Sequence, residues 1–337
     1  MNRPLRWGVL GAAKIAGNFV VPAIQRSDTA RVTAVASRDT ARSNAFATRH
    51  GITNVFSRYE DVIASEDVDA IYIPLPTASH VEWCKKALQG GKHVLCEKPI
   101  AMHASQVKEL IALRDETGLV CGEAFMVAHH PQWHFVRDSL ANGLIGELKV
   151  IEGCFTYFND DPHALKNNRE LGGGGVRDIG VYPVVTTRLA TNLEPAHVHA
   201  DVAIDPRFGT DHYAYCTLDF AGFTSRFYCG TQLARRQQMV FHGTSGWISV
   251  DAPFNPCVYG PASVRHRDDR TGETHVTTFG DTDQYQLMVE DFAKAVRGET
   301  DDVLFPLESS LCNQVVIDRI LSNGPSNAMQ VPEEMRA

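Results

Sequence analysis

Between residues 5 and about 124, short apolar runs alternate with stretches whose apolar residues recur at helical spacing. The runs are LRWGVL, VTAVA, AIYI, HVLC and LVCG. Ile15, Phe19, Ala23 and Ile24 share one helical face after the first run, and Val107, Leu110 and Ile111 share one after HVLC. This alternation predicts βαβ units. Because the runs are apolar nearly throughout, they suit a parallel sheet covered by helices on both faces. After about residue 125 the apolar period becomes two, in ELKVIEGCFTYF, HVHADVAID, DHYAYCTLDF, TSRFYCGTQL, QMVFHG and GWISVDA. A large, open, mainly antiparallel sheet is expected there, with helices near 131–142, 176–191, 285–297 and 307–322 covering one face. The fold class is therefore α/β: a doubly wound domain over 1–124, then an α+β domain over 125–337. A sheet face left uncovered is commonly buried between subunits, so a homodimer or homotetramer is expected.

Composition narrows the function classes. With 337 residues, 44% apolar and 21% charged, the chain has material for two cores. Acidic residues outnumber basic ones 40 to 32, for a net charge of −8, and the basic residues are scattered, so no nucleic-acid partner is expected. No run approaches the roughly 18 consecutive apolar residues of a membrane span. The opening MNRPLRWGVLG enters the first strand without the features of a secretory signal. A cytoplasmic protein without a membrane partner is the expectation. Cys84, Cys96, Cys121, Cys154, Cys216, Cys229, Cys257 and Cys312 form no CxxC pair and no zinc-type cluster, so they read as reduced, mostly buried thiols. His129–His130 and His197/His199 offer pairs but no set of three ligands, so no metal is expected.

At the first strand-to-helix turn the chain reads Gly11-Ala12-Ala13-Lys14-Ile15-Ala16-Gly17. Gly11 suits a tight turn, Ala13 stands where a dinucleotide motif usually has its second glycine, and Ala16 permits close helix-to-strand packing. A pyrophosphate would lie over the helix N-terminus, where unpaired N–H groups favour an anion. The other reading is a plain glycine-rich turn. At the end of the next strand, where an NAD-preferring site carries Asp or Glu, stand Ser37 and Arg38. A guanidinium there favours the 2′-phosphate of NADP. Arg42, one helical turn on, either adds to that pocket or is a solvated helix arginine.

Lys98 follows HVLC in Cys96-Glu97-Lys98-Pro99, at the carboxyl edge of the parallel sheet, where open α/β folds place ligands. Gly172 to Gly175 permit close backbone approach, and Asp178 and Tyr182 follow at i and i+4 on one helical face. Read together, GVLGAAKIA, EKP and GGGGVRDIGVYP resemble the glucose-fructose oxidoreductase and inositol dehydrogenase family, over nearly the whole chain. Tyr182 is similar to the NADP-linked sugar dehydrogenases and dimeric dihydrodiol dehydrogenases of that family. The resemblance implies an N-terminal Rossmann domain and hydride exchange between NADP(H) and a sugar or polyol, such as xylose or glucose oxidised at C1 to the lactone. It further implies that Lys98 contacts nicotinamide and substrate, with Asp178 and Tyr182 completing the site. Tyr182 is then the acid/base, its phenolate favoured by the Lys98 ammonium. By the same resemblance Leu75, Pro76, Thr77 and His80 line the cofactor, and Glu97 supports the nicotinamide side. Glu123 and Phe125 line the substrate cleft, and Lys166 stands where many relatives carry a cofactor-binding arginine.

Within enzymes the rivals are a trans-dihydrodiol dehydrogenase or dicarbonyl reductase and a sugar-sugar oxidoreductase holding NADP tightly. Phe125, Trp133, Phe155, Tyr157 and Phe158 either form an apolar substrate wall or belong to the core. Outside enzymes the rival is a non-catalytic NADP(H) sensor, against which the intact Lys98, Asp178 and Tyr182 argue. Gly243-Thr244-Ser245-Gly246 lacks the spacing of a hydrolase nucleophile.

Overall fold

The computed structural model of the protein describes residues 3–256, 258–280 and 282–322. Six strands, β1 (Leu5–Leu10), β2 (Ala30–Ala36), β3 (Asn54–Phe56), β4 (Ala70–Ile73), β5 (His93–Cys96) and β6 (Cys121–Glu123), form a parallel sheet in the order β3-β2-β1-β4-β5-β6. The order reverses between β1 and β4, which opens a crevice at the carboxyl ends of those strands. Three half-buried residues make up β3, too short an apolar run to stand out in the sequence.

The second sheet contains β7 (Leu148–Phe158), β8 (His197–Ile204), β9 (Asp211–Phe220), β10 (Phe223–Gly230), β11 (Gln232–Gly243), β12 (Gly246–Val250), β13 (Ser263–Asp268) and β14 (Glu273–Thr278). Its order is β14-β13-β12-β11-β7-β10-β9-β8, antiparallel throughout except where β7 lies parallel to β10. The α/β class and the change from a parallel to a mainly antiparallel sheet agree with the apolar periodicity. The hairpin β13–β14 lies outside the segments of apolar period two. Its SVRHRD and ETHVTT segments are charged on both faces and carry little apolar signal.

The α-helices among the described residues are α1 (Val21–Arg26), α2 (Thr40–His50), α3 (Tyr59–Ala64), α4 (His80–Gln89), α5 (Ala104–Thr117), α6 (Pro131–Ala141), α7 (Val181–Thr191), α8 (Gln284–Val296) and α9 (Leu307–Ser322). On one face of the parallel sheet, Leu10, Ile71, Ile73 and Val94 share a core with Val62 of α3, Leu88 of α4 and Leu110 of α5. On its other face, Trp7, Val9 and Tyr72 pack with Ile24 of α1 and with Met288, Val289 and Phe292 of α8. The rings of Trp7 and Phe292 lie 5.0 Å apart.

That placement corrects one expectation. The periodicity puts all four later helices on the second sheet, yet only α6 and α7 lie mainly over it, through Trp133 against Phe241 and Tyr182 against Phe155. The buried stripe of α8 faces the first sheet, and α9 runs along α5, with Asp318 accepting from the Ala104 N–H at 2.8 Å and Glu308 bridging Arg114 at 2.7 Å. Helical periodicity shows that a buried face exists and leaves open which sheet it meets. Seven thiols are free, six of them buried, and Cys257 lies outside the described residues. No helix among the described residues is long and apolar enough to cross a membrane.

Candidate active site

The glycine turn follows β1. Gly11 has φ +106°, a left-handed conformation, and donates its N–H to the Ala36 carbonyl at 2.7 Å. A Cβ at Gly11 would lie 3.0 Å from Leu75, so the turn and the loop after β4 touch through the missing side chain. Ala12 is buried, Ala13 and Ile15 are half-buried, and Lys14 is exposed where the chain enters a wide helical turn over Ala16–Val20 and then α1. At the end of β2, Ser37 is buried and accepts from the Asp39 N–H at 3.3 Å. Asp39 itself caps α2 by accepting from the Arg42 N–H at 3.1 Å. Arg42 reaches back to donate to the Ala12 carbonyl at 3.0 Å, so it belongs to the turn. The Tyr59 phenol, raised by burial, is opposed by the charge and hydrogen bonding of the neighbouring Arg38.

The loop Leu75, Pro76, Thr77 connects this turn to the second sheet. Ala78 donates its N–H to the Leu171 carbonyl at 3.3 Å, and a Cβ at Gly172 would come within 2.8 Å of Thr77. At Gly174, φ is +123° and a Cβ would collide with the Asp211 carboxylate. Asp211 accepts from the Val176 N–H at 2.6 Å, fixing the start of the wide helical turn Val176–Gly180 that carries Asp178. The side-chain-free glycines thus let the two halves of the chain meet between Gly11 and Asp178.

Lys98 and Asp178 come together there. The Lys98 Nζ donates to the Asp178 carbonyl at 2.6 Å and to its Oδ1 at 3.4 Å. The other carboxylate oxygen, Oδ2, takes the Lys166 ammonium at 2.7 Å and the Tyr157 hydroxyl at 2.5 Å. Burial pulls the Asp178 carboxyl upward, but Lys166, Lys98 and the Tyr157 hydrogen bond outweigh it and hold it well below the usual carboxylate range. Asp178 is therefore an anion at neutral pH. The Tyr157 phenol is pushed far up by burial and by that anion, so it remains a donor.

Two domain models cover this framework. Residues 5–125 match the oxidoreductase family with a NAD-binding Rossmann fold, and residues 133–249 match the GFO/IDH/MocA C-terminal domain. The chain belongs to the GFO/IDH/MocA oxidoreductases. It is 38% identical to an uncharacterized oxidoreductase of Rhizobium meliloti over 320 residues, 94% of this chain and 96% of that one. It is 31% identical to the D-xylose 1-dehydrogenase (NADP(+)) 2 of Haloferax volcanii, covering 96% of this chain and 98% of that one. A crystal structure of a 3-ketoreductase from Actinomadura kijaniata with NADP and TDP-benzene superposes with a TM-score of 0.88 at 30% identity, covering 95% of this chain and 98% of that one.

In this GFO/IDH/MocA oxidoreductase Tyr182 sits beside the Lys98–Asp178 pair, but differently from the expectation. The Lys98 ammonium lies 4.9 Å from the centre of the Tyr182 ring, over its face, while the hydroxyl points to the Met126 sulfur at 3.7 Å. Burial, with Glu97, Asp178 and Glu123 adding to it, raises the phenol well above its ordinary value. The expected phenolate is thus corrected to a neutral phenol. Burial in an apolar pocket of Phe125, Phe155 and Phe254, with acidic groups rather than cations around it, keeps the phenol protonated.

Three further expectations change. His80 is 1% exposed and faces the Pro99 and Leu75 carbonyls at 2.9 and 2.7 Å, so it ties the two loops together rather than lining a cofactor. Glu123 is buried and accepts from the Ile100 N–H at 2.8 Å, supporting the loop after Lys98 from behind. Burial, eased by Ser310 and Ile100, pushes its carboxyl up to about 7. Phe125 is fully buried between Tyr182 and Phe305, behind the cleft instead of on its wall. Glu97 accepts the Tyr72 hydroxyl at 2.7 Å and the Lys98 N–H at 3.3 Å, a bracing contact beneath Lys98. Lys166, expected at the cofactor, pairs with Asp178 at 2.7 Å. Sequence reasoning missed Tyr59 altogether, and it weighed Tyr157 only as an apolar wall or core residue, without its hydroxyl's bond to Asp178. Tyr157 lies on the helix-facing side of β7, and its place in the strand alternation signalled core rather than site.

Proposed function

We propose that this protein is an NADP(H)-dependent oxidoreductase of a sugar, polyol or diol, with residues 1–124 holding the dinucleotide and 125–337 supplying substrate contacts. The carrying observation is the convergence of Lys98, Asp178 and Tyr182 at the carboxyl ends of the parallel strands, joined through Thr77 and Gly172 to the Gly11 turn. The residues fit a dinucleotide. Gly11, at φ +106°, forms the tight turn after β1 that brings the backbone at the start of the following helix under a pyrophosphate. Arg38 and Arg42 stand where an NAD site has a carboxylate, and the neighbouring Asp39 is committed to capping α2. NADP is also the cofactor named for the xylose dehydrogenase and held by the 3-ketoreductase. When bound, it supplies the hydride acceptor, or as NADPH the donor.

Lys98 presents an ammonium to the substrate oxygen and steadies negative charge developing there. Asp178, held ionised, accepts a substrate hydroxyl and fixes Lys98. Tyr182, held neutral, can donate its proton to a carbonyl oxygen, because a thioether is a weak acceptor and releases the hydroxyl readily. In the opposite direction, oxidation of an aldose such as xylose or glucose at C1 to the lactone sends the hydroxyl proton to that same phenol oxygen once its own proton has left. The neutral resting state favours reduction.

The outward face of the second sheet carries Tyr213 stacked on Tyr228 and exposed Tyr215 and Val276, a surface suited to a homodimer or homotetramer. The free thiols support a cytoplasmic location. The test is nicotinamide absorbance with aldoses, inositols and dihydrodiols under NADP⁺ and NAD⁺, and with the matching carbonyl compounds under NADPH. A signal dependent on NADP(H) is expected. A protein that neither binds NADPH nor turns over in either direction would sink the reading.

A further inference from the structure

Arg235 occupies a place that neither the core nor the Lys98–Asp178 cluster explains. It lies at the start of β11, where Arg236 pairs with Thr156 and Gln237 with Phe155, and the ladder breaks just before them. Strand alternation sets Arg235 on the same face as Gln237, whose side chain turns inward to Asn255 at 2.9 Å. Arg236 points the other way, to the Tyr228 hydroxyl. Arg235 therefore lies on the helix-facing side of the sheet, the side that also carries Phe155 and Tyr157.

Its guanidinium lies 5.3 Å from the centre of the Tyr259 ring. That ring packs edge-on to Phe155, which in turn contacts Tyr182, so the arginine joins the aromatic framework of the active site. The side chain is exposed, and no ion pair or hydrogen bond engages it among the described residues. The charges nearer the centre differ in this respect. Lys98 faces Asp178 and Glu97, and Lys166 shares Asp178. A chain with a net charge of −8 thus leaves the Arg235 guanidinium without an ion pair among the described residues, held against the aromatic framework that reaches Tyr182.

Resting on the functional reading above, we propose that Arg235 binds an oxyanion on the substrate, so that the physiological substrate is an anionic sugar, phosphorylated or carboxylated, rather than a neutral aldose. A guanidinium laid on an aromatic ring keeps its N–H edge free and pre-oriented, which suits the two oxygens of a phosphoryl or carboxylate group. A guanidinium held on the Tyr259 ring, outside the Lys98–Asp178–Lys166 cluster, suits a substituent remote from the reacting carbon. Binding energy from such a group orients the carbon that reacts.

The experiment is calorimetric titration of the NADPH-saturated protein, so that the dinucleotide pocket is filled, with α-D-glucose 1-phosphate, D-glucuronate and methyl α-D-glucoside. At least one anion is expected to bind about tenfold or more tighter than the neutral glucoside. Arg235→Gln should remove that advantage, and Arg235→Lys should keep part of it, while NADPH affinity stays at the wild-type value in both. The phosphate and carboxylate arms identify which oxyanion the site takes. If neither anion is preferred, or if Arg235→Gln leaves the preference intact, the proposal is overturned. A wild-type protein that fails to bind NADPH would instead bring down the functional reading itself.

Discussion

Replacing Tyr157 by Phe removes one hydroxyl and leaves the ring that packs beside Lys166, 4.5 Å from its ammonium. The lost bond is 2.5 Å long and ends on the ionised Oδ2 of Asp178. Hydrogen bonds to charged groups contribute about 1.5–3 kcal/mol, which corresponds to roughly 10- to 150-fold in an equilibrium or rate. Lys166 stays on the same oxygen and Lys98 on the other, so the low end applies: kcat/KM should fall about tenfold. NADPH affinity, read by fluorescence titration, should not change, because the glycine turn and Arg38 lie elsewhere. The pH profile carries the sign. Tyr157 helps hold the Asp178 carboxyl down, so its removal raises that pKa and moves the acid limb of kcat/KM to higher pH. A variant with kcat/KM within twofold of wild type and an unmoved acid limb would show that Asp178 does not depend on Tyr157.

Arg38→Ala should weaken NADPH about tenfold or more and leave NADH nearly untouched, measured by paired titrations; equal losses would remove the 2′-phosphate assignment. Gly174→Ala should cost roughly 2 kcal/mol or more in urea unfolding, because φ is +123° and the new Cβ meets the Asp211 carboxylate that anchors Val176. Glu123, whose buried carboxyl is pushed up to about 7, stabilises the fold fully below the unfolded value near 4.5 and loses that contribution as pH rises through 7. Glu123→Gln should therefore gain on wild type between those limits, by on the order of 3 kcal/mol at most. The gap in Tm should be wider at pH 8 than at pH 5.

The two sheets and the Gly11 turn were legible because each leaves a local mark, an apolar period or a glycine before a helix, whereas Lys98 and Asp178 were joined only by the resemblance of EKP and GGGGVRDIGVYP to a known family. What escaped depended on contacts between distant segments. His80 was expected at the cofactor because its place in the PLPTASH loop is visible and its two carbonyl partners, Leu75 and Pro99, are not. Tyr182 was expected to ionise because Lys98 was visible as its neighbour, while Glu97, Glu123 and the surrounding phenylalanines converge on it only in three dimensions. Tyr157 hid within strand alternation that marks core and site alike.

The packing of α8 on the first sheet bears on how the molecule is made. Trp7, Val9 and Tyr72 lie in segments that emerge early in synthesis, yet Met288, Val289 and Phe292 complete the core that buries them. Until almost nine-tenths of the chain has left the ribosome, that sheet has a bare apolar flank. An isolated fragment ending near residue 124 would keep that flank in water and be prone to self-association, so the nascent protein is a natural client for a chaperone that shields apolar surface.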